Sequence, residues 1–448
     1  MIPLTLAEIA VVTDGVVVGD PTIVVDAPAT LDSRAVEAGG LFVAIAGDHV
    51  DGHDFAAQAI GNGAAAVLGS RSTDLPGIVV LDVTRALGRL ARHVLDVRED
   101  VHVVALTGSS GKTSVKDLIA RLLEPEGATV ATRGNLNNEL GVPLTVLRVD
   151  ELTRYLVVEM GARAIGDIRA LCDIAPPEIG VVLNVGHAHV GEFGSADAIA
   201  VAKGELAEAV APDGVVVLNA DDPRVAAMAS RTQASVMTFG LQGDVEVSDV
   251  ALDADGTPRF VLGHDRRQVP AHVPLIGAYH AMNAAAAASV ALALNVDLPT
   301  VVERLAGAGV VTPMRMERHV RADGLVVVND AYNANPESVE AALRAVAAIA
   351  HGRGVAVLGA MLELGAESEA AHRHVGELAA ELGYARVVVV GQDARAIADG
   401  AGAIAEVVDD VGVASRTLPA SLTGDDVVLV KASRGVRLER VAEALLEA

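Results

Sequence analysis

Residues 104–116 read VALTGSSGKTSVK, and the residue types and spacing there suit a phosphate-binding turn. Gly108 and Gly111 bracket Ser109 and Ser110, and Lys112 and Thr113 follow directly. Glycines admit backbone angles and close approaches that a side chain blocks. The apolar run VHVVAL precedes the turn and the helix-spaced run SVKDLIARLL follows it. The turn therefore feeds the positive end of a helix, where free N–H groups can receive phosphate oxygens. Lys112 can reach the outer phosphates of a nucleotide, and Thr113 can offer its hydroxyl to magnesium. The common Walker spacing is longer, and Leu106 stands where its first glycine would be. An ordinary glycine-rich turn is the competing reading.

A phosphoryl-transfer site also needs carboxylates and metal ligands at neighbouring strand ends. Glu159 ends the apolar run YLVVE, where a carboxylate would face the crevice above a parallel sheet. NVGHAHVGEFGS offers His187 and His189; alternate residues of an extended segment point opposite ways, so at most one faces the site. Lys203 is the only cation in the helical run ADAIAVAKGELAEAV. It either pairs with Glu205 or Glu208 at the surface or faces the nucleotide, and the sequence alone does not choose. Lysine is scarce throughout: Lys112, Lys116, Lys203 and Lys431 stand against thirty arginines. A position that keeps lysine needs a compact ammonium, or an amine able to lose its proton.

The elements that must position these groups follow from hydrophobic pattern. Residues 1–98 hold short β-like runs (VVVG, LFVAIAG, AAAVLG, GIVVLDV) and form the expected first domain. Residues 99–313 alternate near-continuous apolar strands with amphipathic helices, as in a mostly parallel sheet covered on both faces. Residues 314–448 repeat that logic with LVVVNDAY, GVAVLGAM, ARVVVVG and DVVLVKAS, a Rossmann-like pattern. The expected fold class is thus three-domain α/β. A chain of 448 residues exceeds a single core, and the net charge of −25 argues against nucleic-acid binding. Cys172 is the single cysteine, which fits a reducing cytoplasm. MIPLTLAEIA lacks a basic region and cleavage signal, so no secretory peptide is expected. The apolar run 281–296 is mostly alanine and short for a bilayer, so no stable membrane insertion is expected.

Taken together, LTGSSGKT, DSRAVEAGGLFVAIAGDHVDGHDF, GNLNNELGVPLT, VEMGA, AHVGEFGS, AKGE, NDAYNANPESV, MLELG and KASR resemble the motifs of the Mur ligase family. These are the ATP-dependent amide-forming enzymes of peptidoglycan precursor synthesis, and the likeness runs from residue 32 to 434. A shortened phosphate loop is a trait of that family. The resemblance makes Gly108, Ser109, Ser110, Gly111 and Lys112 phosphate-binding, and Thr113 and Glu159 ligands of one magnesium. His189 matches the histidine of a second magnesium, and Lys203 the lysine that carbon dioxide carbamylates. Asn283 matches a nucleotide-binding asparagine; Arg315, Asp330 and Asn333 match groups that reach ATP when the domains close. Ser33, Arg34, Asp51 and His53 fall in the expected uridine-diphosphate region, and Thr132, Asn135 and Asn138 near the sugar–peptide substrate. Four positions depart from the family pattern: Arg133 for proline, Tyr279 for histidine (which shifts His280), Met314 for glycine and Ala432 for glycine.

The resemblance implies a cytoplasmic, monomeric ligase that uses ATP and two Mg2+ to join D-alanyl-D-alanine to UDP-N-acetylmuramoyl-tripeptide through an acyl phosphate. Competing readings are a Mur-type ligase for another amino acid, a P-loop NTPase that forms no amide, and a UDP-sugar-binding protein without catalysis. Lys431 and Arg434 are further candidates for binding carboxylate or phosphate, with exposed helix-start charges as the alternative.

Overall fold

The computed structural model describes residues 1–47, 50–186 and 193–448. His187 and His189 therefore lie outside the described residues. The chain forms three main sheets in sequence order, each with parallel strands at its centre. The first has five strands, ordered Val16–Val18, Gly77–Val79, Ala66–Gly69, Leu41–Val43 and Ala29–Thr30, with only Val16–Val18 antiparallel. Helix Val83–Val97 carries a buried stripe, including Leu87, Leu90, Ala91 and Val94, which joins this sheet and the next in one hydrophobic cluster.

The second sheet has nine strands. Its first strand in chain order, His102–Thr107, lies between Thr153–Glu159 and Ile179–Val182, parallel to both. Val103 and Ala105 enter one core while Val104 and Leu106 enter another, so both faces are covered and the strand reads as continuously apolar. After helix Lys112–Leu123 the chain steps out to Ala128–Ala131, returns to Thr153–Glu159, then crosses to the other side of the first strand. That reversal makes the crevice above residues 107–108 a topological switch point, the usual ligand position in such sheets. The alanine-rich stretch forms helix His280–Ala293, whose buried alanines belong to the same core as Leu118, Ile119 and Leu122 of the loop helix. Small side chains let the two helices pack closely. The sequence pattern did not suggest the edge of this sheet, where Val245–Leu252, Pro258–His264 and Arg267–His272 form an antiparallel meander.

The third sheet orders Glu317–Val320, Val326–Asn329, Val427–Lys431, Gly354–Leu358, Arg386–Val390 and Ala405–Val408. All neighbours are parallel except the first pair. Val387 and Val389 face one core, Val388 and Val390 the other. The mixed α/β class expected from sequence is what the chain adopts. Among the described residues no helix is long and apolar enough to cross a membrane.

Candidate active site

The loop between strand His102–Thr107 and helix Lys112–Leu123 is shaped by its two glycines. A Cβ on Gly108 would lie 2.9 Å from Leu183 Cβ. Gly111 caps the helix at φ +81°, and a Cβ there would sit 3.0 Å from Asn283 Oδ1. Both positions thus need glycine for space, and Gly111 also for its left-handed backbone. The loop satisfies its own polar groups: Lys112 Nζ donates to Gly108 O at 2.7 Å, and Asn184 Oδ1 accepts from the amides of Ser109 and Ser110 at 2.9 Å each. Asn184 Nδ2 returns a bond to Ser110 O at 3.1 Å. An entering phosphate would draw Lys112 away from a carbonyl it already holds.

Thr113 and Glu159 meet as expected, with Thr113 Oγ1 donating to Glu159 Oε2 at 3.1 Å. The other Glu159 oxygen accepts from Asn137 Nδ2 at 2.8 Å, and its backbone amide donates to Thr132 Oγ1 at 3.0 Å. Thr132 is buried, so it shapes the crevice through Glu159. Asn138 is exposed and accepts from Gly141 N at 3.0 Å, while Asn135 is also exposed. Asn137 and Asn184 are the site residues that sequence reasoning missed. Their signal was a run of asparagines after one strand (NLNN) and an asparagine ending another (LN).

Lys203 is buried on helix Ala196–Ala209 and makes no side-chain hydrogen bond among the described residues. The surface pairings do not form. Glu205 accepts from the amides of Gly166 and Arg169 at 2.6 and 3.0 Å, and Glu208 pairs with Arg169 and Arg231. Burial drives the Lys203 pKa well below the lysine norm, the Lys112 charge pushes the same way, and Glu159 opposes both. Burial also lowers Lys112, with Glu159 opposing and Arg315 reinforcing.

Arg315 comes from the third unit. Its Nη2 donates to Thr113 Oγ1 at 3.3 Å and its guanidinium lies 4.2 Å from the centre of the Tyr332 ring. Arg315 Nε is buried without a hydrogen-bond partner, an unspent donor in the crevice. The turn that presents it is strained, since Met314 and Met316 both have positive φ (58° and 49°). That geometry gives a reason for glycine at position 314, and methionine adopts it at a cost. Asp330 braces this turn: Oδ1 accepts from Met316 N at 3.1 Å and Oδ2 receives Lys431 Nζ at 2.5 Å. Lys431 also donates to Asn333 O at 2.8 Å. Lys431 is therefore a buried, paired cation and not an exposed helix-start charge. Arg434 is exposed and pairs with Glu439 at 3.2 Å.

The first sheet keeps its candidates in a separate group. His53 is buried with both ring nitrogens engaged: Nδ1 lies 2.6 Å from Asp51 Oδ1, and Nε2 accepts from Ser70 N at 2.9 Å. Bonds from the His53 backbone and ring hold the Asp51 carboxyl down to about 2. Ser33 Oγ donates to Gln58 Oε1 at 2.9 Å, and Arg34 pairs with Asp32 at 2.8 Å on the surface. Asn283, by contrast, sits against the loop at Gly111, with Nδ2 3.3 Å from His280 Nδ1.

Thr113 and Glu159 supply the hard oxygens that magnesium prefers, and magnesium characteristically keeps water and phosphate as its other ligands. Among the described residues no cluster of three His, Cys, Asp or Glu side chains forms a metal cage.

Comparison with known proteins agrees with this geometry along the whole chain. The Mur ligase family, catalytic domain matches residues 29–94; the Mur ligase middle domain matches 106–291; and the Mur ligase, glutamate ligase domain matches 314–434. The UDP-N-acetylmuramoyl-tripeptide--D-alanyl-D-alanine ligase of Mycobacterium bovis is 43% identical, over 100% of this chain and 98% of its own. The crystal structure of MurF from Acinetobacter baumannii superposes with a TM-score of 0.90 at 32% identity, covering 100% of this chain and 99% of that one. MurF ligase from Thermotoga maritima in complex with ADP gives 0.81 at 32% identity, covering 94% and 97%. With three family domains matched in order and a relative aligned from end to end, the chain belongs to the Mur ligase family.

Proposed function

We infer that this chain is an ATP-dependent ligase that joins D-alanyl-D-alanine to UDP-N-acetylmuramoyl-tripeptide in peptidoglycan precursor synthesis. The observation that carries the reading is Arg315, which crosses from the third unit to donate to Thr113 beside Glu159. A phosphate-loop site completed by a second unit suits a reaction that must close before it proceeds. Supporting it are the full-length relatives with that printed activity and the ADP-bound neighbour. The division 1–98, 99–313 and 314–448 is part of the same reading, as is a cytoplasmic monomer.

A carboxylate is a poor electrophile, so the tripeptide carboxylate first takes the γ-phosphoryl group of ATP to become an acyl phosphate. The dipeptide amine then attacks, and phosphate leaves. The loop amides and Lys112 cradle the phosphates, while Arg315 brings its unpaired Nε, and the Nη2 that donates to Thr113, toward the transferring group. Such donors act by charge stabilisation in a site that excludes water. Thr113 and Glu159 would hold one magnesium, and His189 and Lys203 a second, which supply charge neutralisation at the phosphates. A buried amine shifted toward neutrality is competent to form a carbamate with carbon dioxide, giving Lys203 the anionic character of a ligand. Asn283, Asp330 and Asn333 belong to the nucleotide side of the site. Ser33, Arg34, Asp51, His53, Thr132, Asn135 and Asn138 belong to the side of the UDP-linked substrate.

The test is phosphate release from ATP with UDP-N-acetylmuramoyl-tripeptide present, with and without D-alanyl-D-alanine, following the nucleotide product by mass. Turnover that needs both and yields the pentapeptide is expected. Amine-independent turnover would sink the reading in favour of an NTPase.

A further inference from the structure

Beside the transfer crevice lies a cavity of about 660 Å³. Its walls come from the outer side of the loop helix, the edge strand Ala128–Ala131, residues 132–134, Arg148, the connecting segment 309–314 and Tyr332. Two of its cations stand out. Arg148 is partly buried, and its only side-chain hydrogen bond among the described residues runs from Nη1 to Ala131 O at 2.7 Å. Arg133, the departure from the family's proline, makes no side-chain hydrogen bond or ion pair among the described residues. Burial first, and the like charge of Arg133 second, lower the Arg148 pKa to about 10, still charged at neutral pH; Glu37 offsets part of this. A chain with net charge −25 has carboxylates to spare, yet none pairs with either guanidinium among the described residues. The other charges in the wall largely cancel, since Lys116 pairs with Asp117 at 2.5 Å and Arg121 with Glu124 at 3.3 Å.

We propose that this cavity seats the C-terminal carboxylate of the incoming dipeptide, with Arg133 and Arg148 as the cations that receive it. The inference rests on the ligase reading above and adds where the second substrate is held. A planar fork on each arginine matches a carboxylate. The volume leaves ample room for a dipeptide. Position agrees too. Thr132 lines the same cavity as Arg133 and its Oγ1 accepts from the Glu159 amide, so the cavity adjoins the transfer site. An extended dipeptide spans ~7 Å, which lets its amine reach the crevice while its far end stays on the arginines. Tyr332 and the segment 309–314 come from or lead to the third unit, so the pocket is complete only with that unit docked.

The decisive experiment compares D-alanyl-D-alanine with its C-terminal amide in the wild type, Arg133→Ala and Arg133→Lys, all checked by melting temperature. Wild type should prefer the acid, and Arg133→Ala should raise the KM for the dipeptide by about tenfold to a hundredfold, the worth of a charge-assisted bond. The KM values for ATP and the UDP-linked substrate should hold, the acid-over-amide preference should collapse, and Arg133→Lys should keep part of it. An undiminished preference in Arg133→Ala overturns the proposal. So does a rise confined to the KM of the UDP-linked substrate, which would give the arginines to a carboxylate of the tripeptide, or to the KM of ATP, which would give them to phosphate. A wild type that forms no amide overturns the ligase reading itself, and this inference with it.

Discussion

Replacing His280 with glutamine should make the protein more tolerant of acid. His280 opens helix His280–Ala293, is only 3% exposed, and packs against Tyr279 with ring centres 4.3 Å apart and planes tilted by 38°. Burial lowers its pKa from 6.5 to about 3. The positive end of the helix acts in the same direction. The unfolded imidazole takes up a proton below pH 6.5, whereas the folded one waits until about pH 3. Through that window the unfolded state binds more protons, so stability falls as pH falls. The loss approaches ~1.4 kcal/mol per pH unit and sums to ~2 kcal/mol at pH 5. His280→Gln removes this contribution and keeps a polar group beside Asn283. Urea unfolding of the two proteins in parallel, from pH 8 to pH 5, should show the gap shift by ~2 kcal/mol in the variant's favour. Imidazole NMR should show His280 neutral at pH 5. Parallel stability profiles, or a ring that titrates near its ordinary value, would refute the reasoning.

Three further outcomes follow from the geometry. Lys431→Met strands the buried Asp330 carboxylate and should cost ~3–5 kcal/mol in thermal melting, while Lys431→Met with Asp330→Asn recovers most of it; a fully additive pair would contradict this. Gly111→Ala forces a side chain into φ +81° and against Asn283 Oδ1, so it should destabilise the loop by ~1–2 kcal/mol and raise the KM for ATP; an unchanged KM would count against the loop's role. Arg315→Lys keeps the charge but loses the guanidinium's place over the Tyr332 ring and the second donor, and kcat should fall ~100-fold, with binding of UDP-linked substrate intact by calorimetry.

Much of the scaffold was readable because its strands are buried on both faces. Val103 through Leu106 feed two cores in alternation, so no polar residue interrupts the run. The meander at 245–272 was opaque for the opposite reason. Its strands are partly exposed and mix charged residues with apolar ones, as in EVSDVAL and RRQVPAH. At the site, Lys112, Thr113 and Glu159 were legible because strand and helix ends place them whatever surrounds them. Asn137 and Asn184 were not, because their part is to satisfy groups contributed by distant segments, Glu159 in one case and the loop amides in the other. His53 shows the converse: a motif position with both ring nitrogens already spent within its own unit.

The scarcity of lysine has two physical causes, and the structure separates them. Lys116 Nζ fits between Thr132 O at 2.8 Å and an Asp117 oxygen at 2.5 Å, and Lys431 Nζ fits between Asp330 at 2.5 Å and Asn333 O at 2.8 Å. Lys112 Nζ folds back on Gly108 O at 2.7 Å. The Lys116 and Lys431 sites are buried slots for a compact donor, which a wide, planar guanidinium fits poorly. Lys203 is as buried as these two yet holds no acceptor among the described residues. An ammonium there lacks the hydrogen bonds that compensate the others, so burial, reinforced by the Lys112 charge and opposed by Glu159, drives its pKa well below the lysine norm. Lys116 and Lys431 are held by the shape of their slots, and Lys203 alone of the four is buried with no side-chain acceptor among the described residues.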